Sequence, residues 1–123
     1  MVYFEPSAIK EKADFESIAA SDIIKFSGKN VQDVTFVKDY RDKLFIQTLG
    51  SEGLRFNLRG EGWLNLPPVD NENVADWDGA GDWMTSAFLN ALAEADALSI
   101  KRLTLNIVKD ALEKAQIVAS KSV

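Results

Sequence analysis

Apolar and polar positions alternate with two different periods along this chain, and the change of period marks its elements. Val2-Tyr3-Phe4 is a short β-favouring run that stops at Glu5-Pro6-Ser7, because proline has no N–H for a ladder. Ser7 is a plausible N-cap for a helix over residues 8 to 20, where Ile9, Ala13, Phe15, Ile18 and Ala19 sit among charged residues. Ile23-Ile24-Lys25-Phe26 predicts a second strand, and Ser27-Gly28-Lys29-Asn30 a turn. Residues 31 to 42 are ambiguous. Val31, Val34 and Val37 fall three apart, as in a short helix, yet the β-branched density suits a strand.

Leu44-Phe45-Ile46-Gln47-Thr48-Leu49 is nearly all apolar, the pattern of a strand covered on both faces in a parallel sheet. Gly50-Ser51-Glu52-Gly53 turns the chain. Leu54 to Leu58 alternates strictly, which predicts a half-buried strand antiparallel to its predecessor, and Trp63 to Leu66 repeats the pattern. Pro67-Pro68 opens an acidic loop. Two helices follow, with apolar stripes Met84, Phe88, Ala91, Leu92, Ala95 and Leu105, Val108, Leu112, Ala115, Ala119. Asp110 and Lys114 form an i,i+4 pair in the favourable order. Alternating strands and helices predict an α/β fold with a mainly parallel sheet and an antiparallel excursion near residues 54–66.

Composition narrows the chemistry. The 123 residues suit one domain. With no cysteine and no histidine, thiolate catalysis, a Ser-His-Asp triad and imidazole zinc sites are excluded. Acid–base work falls to Asp, Glu, Lys or Tyr, and any metal would be a hard ion on oxygen ligands. A net charge of −5 argues against a nucleic-acid partner. No apolar run approaches the ~20 residues of a membrane helix, and the N-terminus has no signal-peptide pattern, so a cytoplasmic location is expected. The last helix runs to the terminus without a stop signal and the first strand starts almost at Met1, which suggests a piece of something longer.

The most informative stretch is Asp76-Trp77-Asp78-Gly79-Ala80-Gly81-Asp82. Its plainest reading is a solvated acidic loop. A calcium-binding EF-hand fails, because Val74 falls at the first ligand and Thr85 where a bidentate Glu belongs. A dinucleotide fingerprint fails at Met84, which occupies the third glycine position. No Walker-type motif is present. What remains is an anion hole: a Gly-Ala-Gly turn opening a helix aims backbone N–H groups at one point, where the helix dipole favours negative charge. The same field favours the ionised form of Asp82, which could accept a proton. Trp63 and Phe56 read as packing residues, and Arg55 and Arg59 as solvated rather than phosphate-binding.

This stretch resembles the D-T-x-G-A-G-D signature of the ribokinase-like (PfkB-type) carbohydrate kinases. Three other landmarks resemble that family in order. Thr48-Leu49-Gly50-Ser51-Glu52-Gly53 is similar to its T-L-G-x-x-G turn beside the nucleotide. Ser21 to Phe26 is similar to the strand leading to its N-x-x-E motif, and Phe4-Glu5-Pro6-Ser7 to a strand end that usually reads D-P-N. The resemblance implies part of a three-layer α/β/α sandwich, the nucleotide-side, central-to-C-terminal portion of an ATP-dependent sugar or nucleoside kinase. It implies Asp82 as catalytic base and Gly79, Ala80 and Gly81 around the transferring phosphoryl group. Thr48, Gly50 and Gly53 would flank ATP, and Asp76 and Asp78 would match positions that bind a monovalent cation such as K⁺ in some members. Trp77 stands for the usual Thr and Met84 for a usual Phe. Asn30 stands for the Glu that organises Mg²⁺. Residues 1–123 would then be one partial domain, without the sugar-binding half and not active alone. Self-association is expected to cover sheet faces left open. The alternative is a degenerate, non-catalytic nucleotide-binding or protein-interaction module.

Overall fold

The computed structural model describes the backbone of residues 1–68 and 77–121 and the side chains of 1–68 and 85–117. The chain divides into two compact units, Met1–Asn65 and Leu66–Val123.

The first unit is built on a five-stranded sheet in the order β1-β2-β3-β4-β5. The strands are β1 Tyr3–Phe4, β2 Ile23–Ser27, β3 Leu44–Thr48, β4 Leu54–Leu58 and β5 Trp63–Leu66, close to the runs that the apolar pattern predicts. Strands β1, β2 and β3 pair in parallel, with Ile24 opposite Phe45 and Ser27 opposite Thr48. Strand β4 returns antiparallel to β3, with Ile46 opposite Phe56. Leu44, Phe45 and Ile46 are each 0% exposed, so β3 is buried on both faces.

Helix α1 is Lys12–Ala19, shorter than predicted. Its N-cap is Glu11 rather than Ser7. The reason is local: the Asp14 carboxylate accepts the N–H groups of Lys10 and Glu11, both at 2.9 Å, and so fixes the first turn there. The ambiguous stretch resolves as a 3₁₀ helix, Thr35–Asp39. Of the three valines spaced three apart, only Val37 lies within it; Val34 is its N-cap and Val31 precedes it. This single turn serves as the crossover between the parallel strands β2 and β3, a role more often filled by an α-helix.

One face of the sheet carries the core of this unit. Ile24, Phe26 and Phe45 pack with Ile18 of α1 and with Val31 and Val37. Phe36 meets Phe45 edge-on at 5.8 Å and Phe15 at 6.0 Å. Lys43, buried just before β3, donates to the carbonyls of Ala19 at 3.0 Å and Ser21 at 2.7 Å. Its ammonium thereby satisfies acceptors left open at the end of α1, where the helix dipole also favours a cation.

The second unit contains α2, Trp77–Glu94, and α3, Leu105–Lys121, which pack on one another. Phe88, Leu92, Val108, Leu112 and Ala115 are buried, as the two apolar stripes require. Helix α2 ends without glycine. Asp96 takes the left-handed conformation instead, with φ +53°, and Ala97 N–H reaches back to Leu92 C=O at 2.9 Å. Thr104 caps α3 by accepting Ile107 N–H at 3.1 Å. The expected Asp110–Lys114 pair forms at 3.0 Å. Among the described residues no helix is long and apolar enough to cross a membrane.

Candidate active site

Two of the sequence landmarks meet at the carboxyl ends of the parallel strands. Ser27 ends β2, Thr48 ends β3, and the two are register partners. Gly28 N–H donates to Thr48 C=O at 2.8 Å, which holds the turn after β2 against the turn after β3. A Cβ on Gly28 would stand 3.1 Å from Thr48 O and from the Leu49 and Gln47 side chains, so glycine permits this close approach. Such strand ends are where open α/β sheets receive ligands.

The turn after β3 has the geometry of a backbone cradle. Gly50 has φ +60°, and a Cβ there would meet nothing within 4 Å. Gly53 has φ +94° and ψ −133°, a conformation effectively confined to glycine. Leu49 N–H bonds Gly53 C=O at 2.8 Å and Gly53 N–H bonds Gly50 C=O at 3.2 Å, closing the loop. Thr48, Gly50 and Gly53, expected from the sequence to flank a nucleotide, thus share one closed turn, in which Gly50 is exposed and Gly53 buried. The turn after β2 is also closed: Val31 N–H bonds Ser27 C=O at 2.8 Å and Lys29 N–H bonds Ser27 Oγ at 3.2 Å. Asn30 is exposed there and offers an amide oxygen rather than a carboxylate.

Sequence reasoning passed over an ion pair between a buried lysine and an exposed glutamate beyond the end of β1. Lys25 lies on β2 with its side chain 8% exposed, and its Nζ is 2.9 Å from Glu5 Oε1, just beyond β1. Glu5 also accepts the Tyr3 hydroxyl at 3.0 Å. The signal was a lysine inside the apolar run Ile23-Ile24-Lys25-Phe26. A buried lysine is costly unless paired, so its presence there marks a place where charge is wanted. Arg55 differs from its solvated expectation. It is half-buried, bonds Gln47 and lies 4.3 Å from the centre of the Trp63 ring.

The remaining predicted residues belong to the second unit. Asp76 lies outside the described residues, as do the side chains of Asp78 and Asp82. Helix α2 begins at Trp77, so Gly79, Ala80, Gly81 and Asp82 fall in its first two turns rather than before it.

The model of the pfkB family of carbohydrate kinases matches residues 8–123. The chain belongs to that family. Solved structures agree on the fold. The apo fructokinase of Vibrio cholerae O395 superposes with a TM-score of 0.74 at 18% identity, covering 98% of this chain and 46% of that one. The ribokinase of Giardia lamblia gives 0.74 at 20% identity, covering 98% and 43%. The Vibrio fructokinase with fructose, ADP and calcium ion bound gives 0.69 at 18% identity, covering 87% and 36%. At these identities the likeness concerns the fold, and the chain spans less than half the length of these relatives. Comparison with curated proteins gives no match.

Proposed function

We propose that this chain is the nucleotide-side part of a kinase that transfers the γ-phosphoryl group of ATP to a hydroxyl of a carbohydrate or nucleoside. The observation that carries the proposal is the pairing of the two turns after β2 and β3, with Thr48, Gly50 and Gly53 in the second of them, in a chain of the pfkB family.

Thr48, Gly50 and Gly53 fit a nucleotide by their chemistry: a hydroxyl from Thr48, and backbone groups without side-chain bulk from the two glycines. With α2 starting at Trp77, Gly79 N–H is among the first-turn groups without an intrahelical partner and would face the transferring phosphoryl group, while Ala80 and Gly81 would keep its approach free of bulk. The carboxylate of Asp82 would accept the proton of the substrate hydroxyl. The hydroxyl oxygen then bonds to phosphorus as the bond to the ADP oxygen breaks, and ADP leaves with the electron pair. Phosphoryl transfer needs mainly positioning and charge stabilisation, which an anion hole beside a carboxylate supplies. Asp76 and Asp78 would hold a monovalent cation, whose charge would offset that of the phosphates. Magnesium recruitment would lack the usual carboxylate at Asn30.

Asn30 favours a second reading, a nucleotide-binding module without turnover, because a neutral amide is a poorer magnesium ligand than a carboxylate. Titration of the isotopically labelled chain with Mg-ATP tests the site that both readings share. Saturable shifts of the Gly50 and Gly53 amides are expected. No shift at millimolar nucleotide would contradict the assignment of these residues.

A further inference from the structure

A second site lies in the first unit, on the face of the sheet that carries the core. Because the crossover between β2 and β3 is a single 3₁₀ turn, it leaves a depression of about 460 Å³ between itself and β4–β5. This volume is in the range of small-molecule sites, roughly 300–1,000 Å³. Its walls differ in character. Val34, Val37 and Trp63 supply an apolar side, and Lys38, Arg41 and Arg55 supply three cations, with no acidic residue in the lining.

One of these cations is held in place by the protein. The Arg55 guanidinium lies over Trp63 and donates to Gln47 Oε1, while Gln47 Nε2 donates to Val31 C=O at 3.1 Å. Arg41 lies against Gly60, where even a Cβ would come within 2.8 Å of its Nε. Two acids close in sequence have partners of their own. Asp33 accepts both the N–H and the hydroxyl of Thr35, and Asp42 lies 3.8 Å from buried Lys43. In a chain of net charge −5, like charges have been gathered at one apolar-walled depression without a compensating carboxylate in it. Gathering them costs repulsion that an anion would relieve.

We infer that this depression binds a small organic phosphate monoester. Such a ligand carries a charge of about −1.5 to −2 on one compact group near neutral pH, which matches several cations better than a single carboxylate does. Its carbon skeleton would rest on Trp63 and the valines, and its oxygens would meet the Arg55 fork and the two exposed cations. Its lining does not include Thr48, Gly50 or Gly53, so the inference does not rest on the kinase reading.

The test is an NMR titration of the 123-residue chain with ribose 5-phosphate in about 0.15 M salt, where surface charge is largely screened. The Trp63 indole N–H and the Arg55 Nε–H report the depression, and the Gly50 and Gly53 amides report the other site. Saturable shifts at Trp63 and Arg55 are expected, weakened at least about tenfold in the exposed double variant Lys38→Gln/Arg41→Gln. Inorganic phosphate and citrate, titrated alongside, are expected to bind more weakly. No saturation by about 10 mM, where binding is weaker than most specific ligands show, would overturn the inference. So would equal binding by the double variant, or inorganic phosphate or citrate binding as tightly as the ester.

Discussion

Single side chains in the first unit do work that their residue types do not advertise. Lys43 would ordinarily be a surface residue, yet its ammonium is buried against two carbonyls at the end of α1. Substituting Lys43→Met keeps the stem and removes the donor. It should lower stability by about 2–3 kcal/mol, the cost of leaving buried acceptors unpaired. Urea denaturation measures this; a loss under ~0.5 kcal/mol would mean that water replaces the ammonium freely. Gly53 makes a second residue-scale prediction. Its φ of +94° with ψ −133° is strained for any side chain, so Gly53→Ala should cost about 1–3 kcal/mol. The same substitution should weaken Mg-ATP binding, if this turn cradles the nucleotide. An alanine variant with unchanged melting and unchanged nucleotide affinity would contradict both statements.

At the scale of elements, helix α1 is defined by a carboxylate. Accepting the Lys10 and Glu11 N–H groups holds the Asp14 carboxyl below its ordinary value of 3.8. A depressed pKa stabilises the fold above the ordinary value, and that contribution is lost as pH falls through the folded value. Wild type should therefore exceed Asp14→Asn in stability near neutral pH, and the two should converge below about pH 4. A gap that stays constant on acidification would show that the carboxylate charge plays no part. The strands were legible because their apolar runs are short and bounded by glycine or proline, and β3 announced its double burial by lacking polar positions. The start of α1 was not legible, since it depends on which N–H groups the Asp14 side chain reaches. The crossover was half legible: a short helix was one of two readings of residues 31 to 42, but the spacing of Val31, Val34 and Val37 did not locate it, since only Val37 falls in Thr35–Asp39. The setting of Arg55 was not legible: a charged residue on an alternating strand reads as solvated until its neighbours are known, and here those neighbours are Gln47 and Trp63.

For the whole molecule, family membership and local geometry bear on different parts of the account. The pfkB match spans residues 8–123, and the first unit brings the turns after β2 and β3 together at the strand ends. The chemistry itself is assigned to the start of α2, and it rests on the Gly79-Ala80-Gly81-Asp82 motif. The chain spans less than half the length of its solved relatives, and under the proposed function turnover would be a property of a protein that joins it to a sugar-binding portion. The most direct measurement is turnover and nucleotide affinity of that protein carrying Asp82→Asn. Turnover should fall by about 10²–10⁴-fold, as expected when a general base is removed, with ATP affinity changed by less than about threefold. Turnover within about twofold of wild type, at unchanged ATP affinity, would contradict the role given to Asp82.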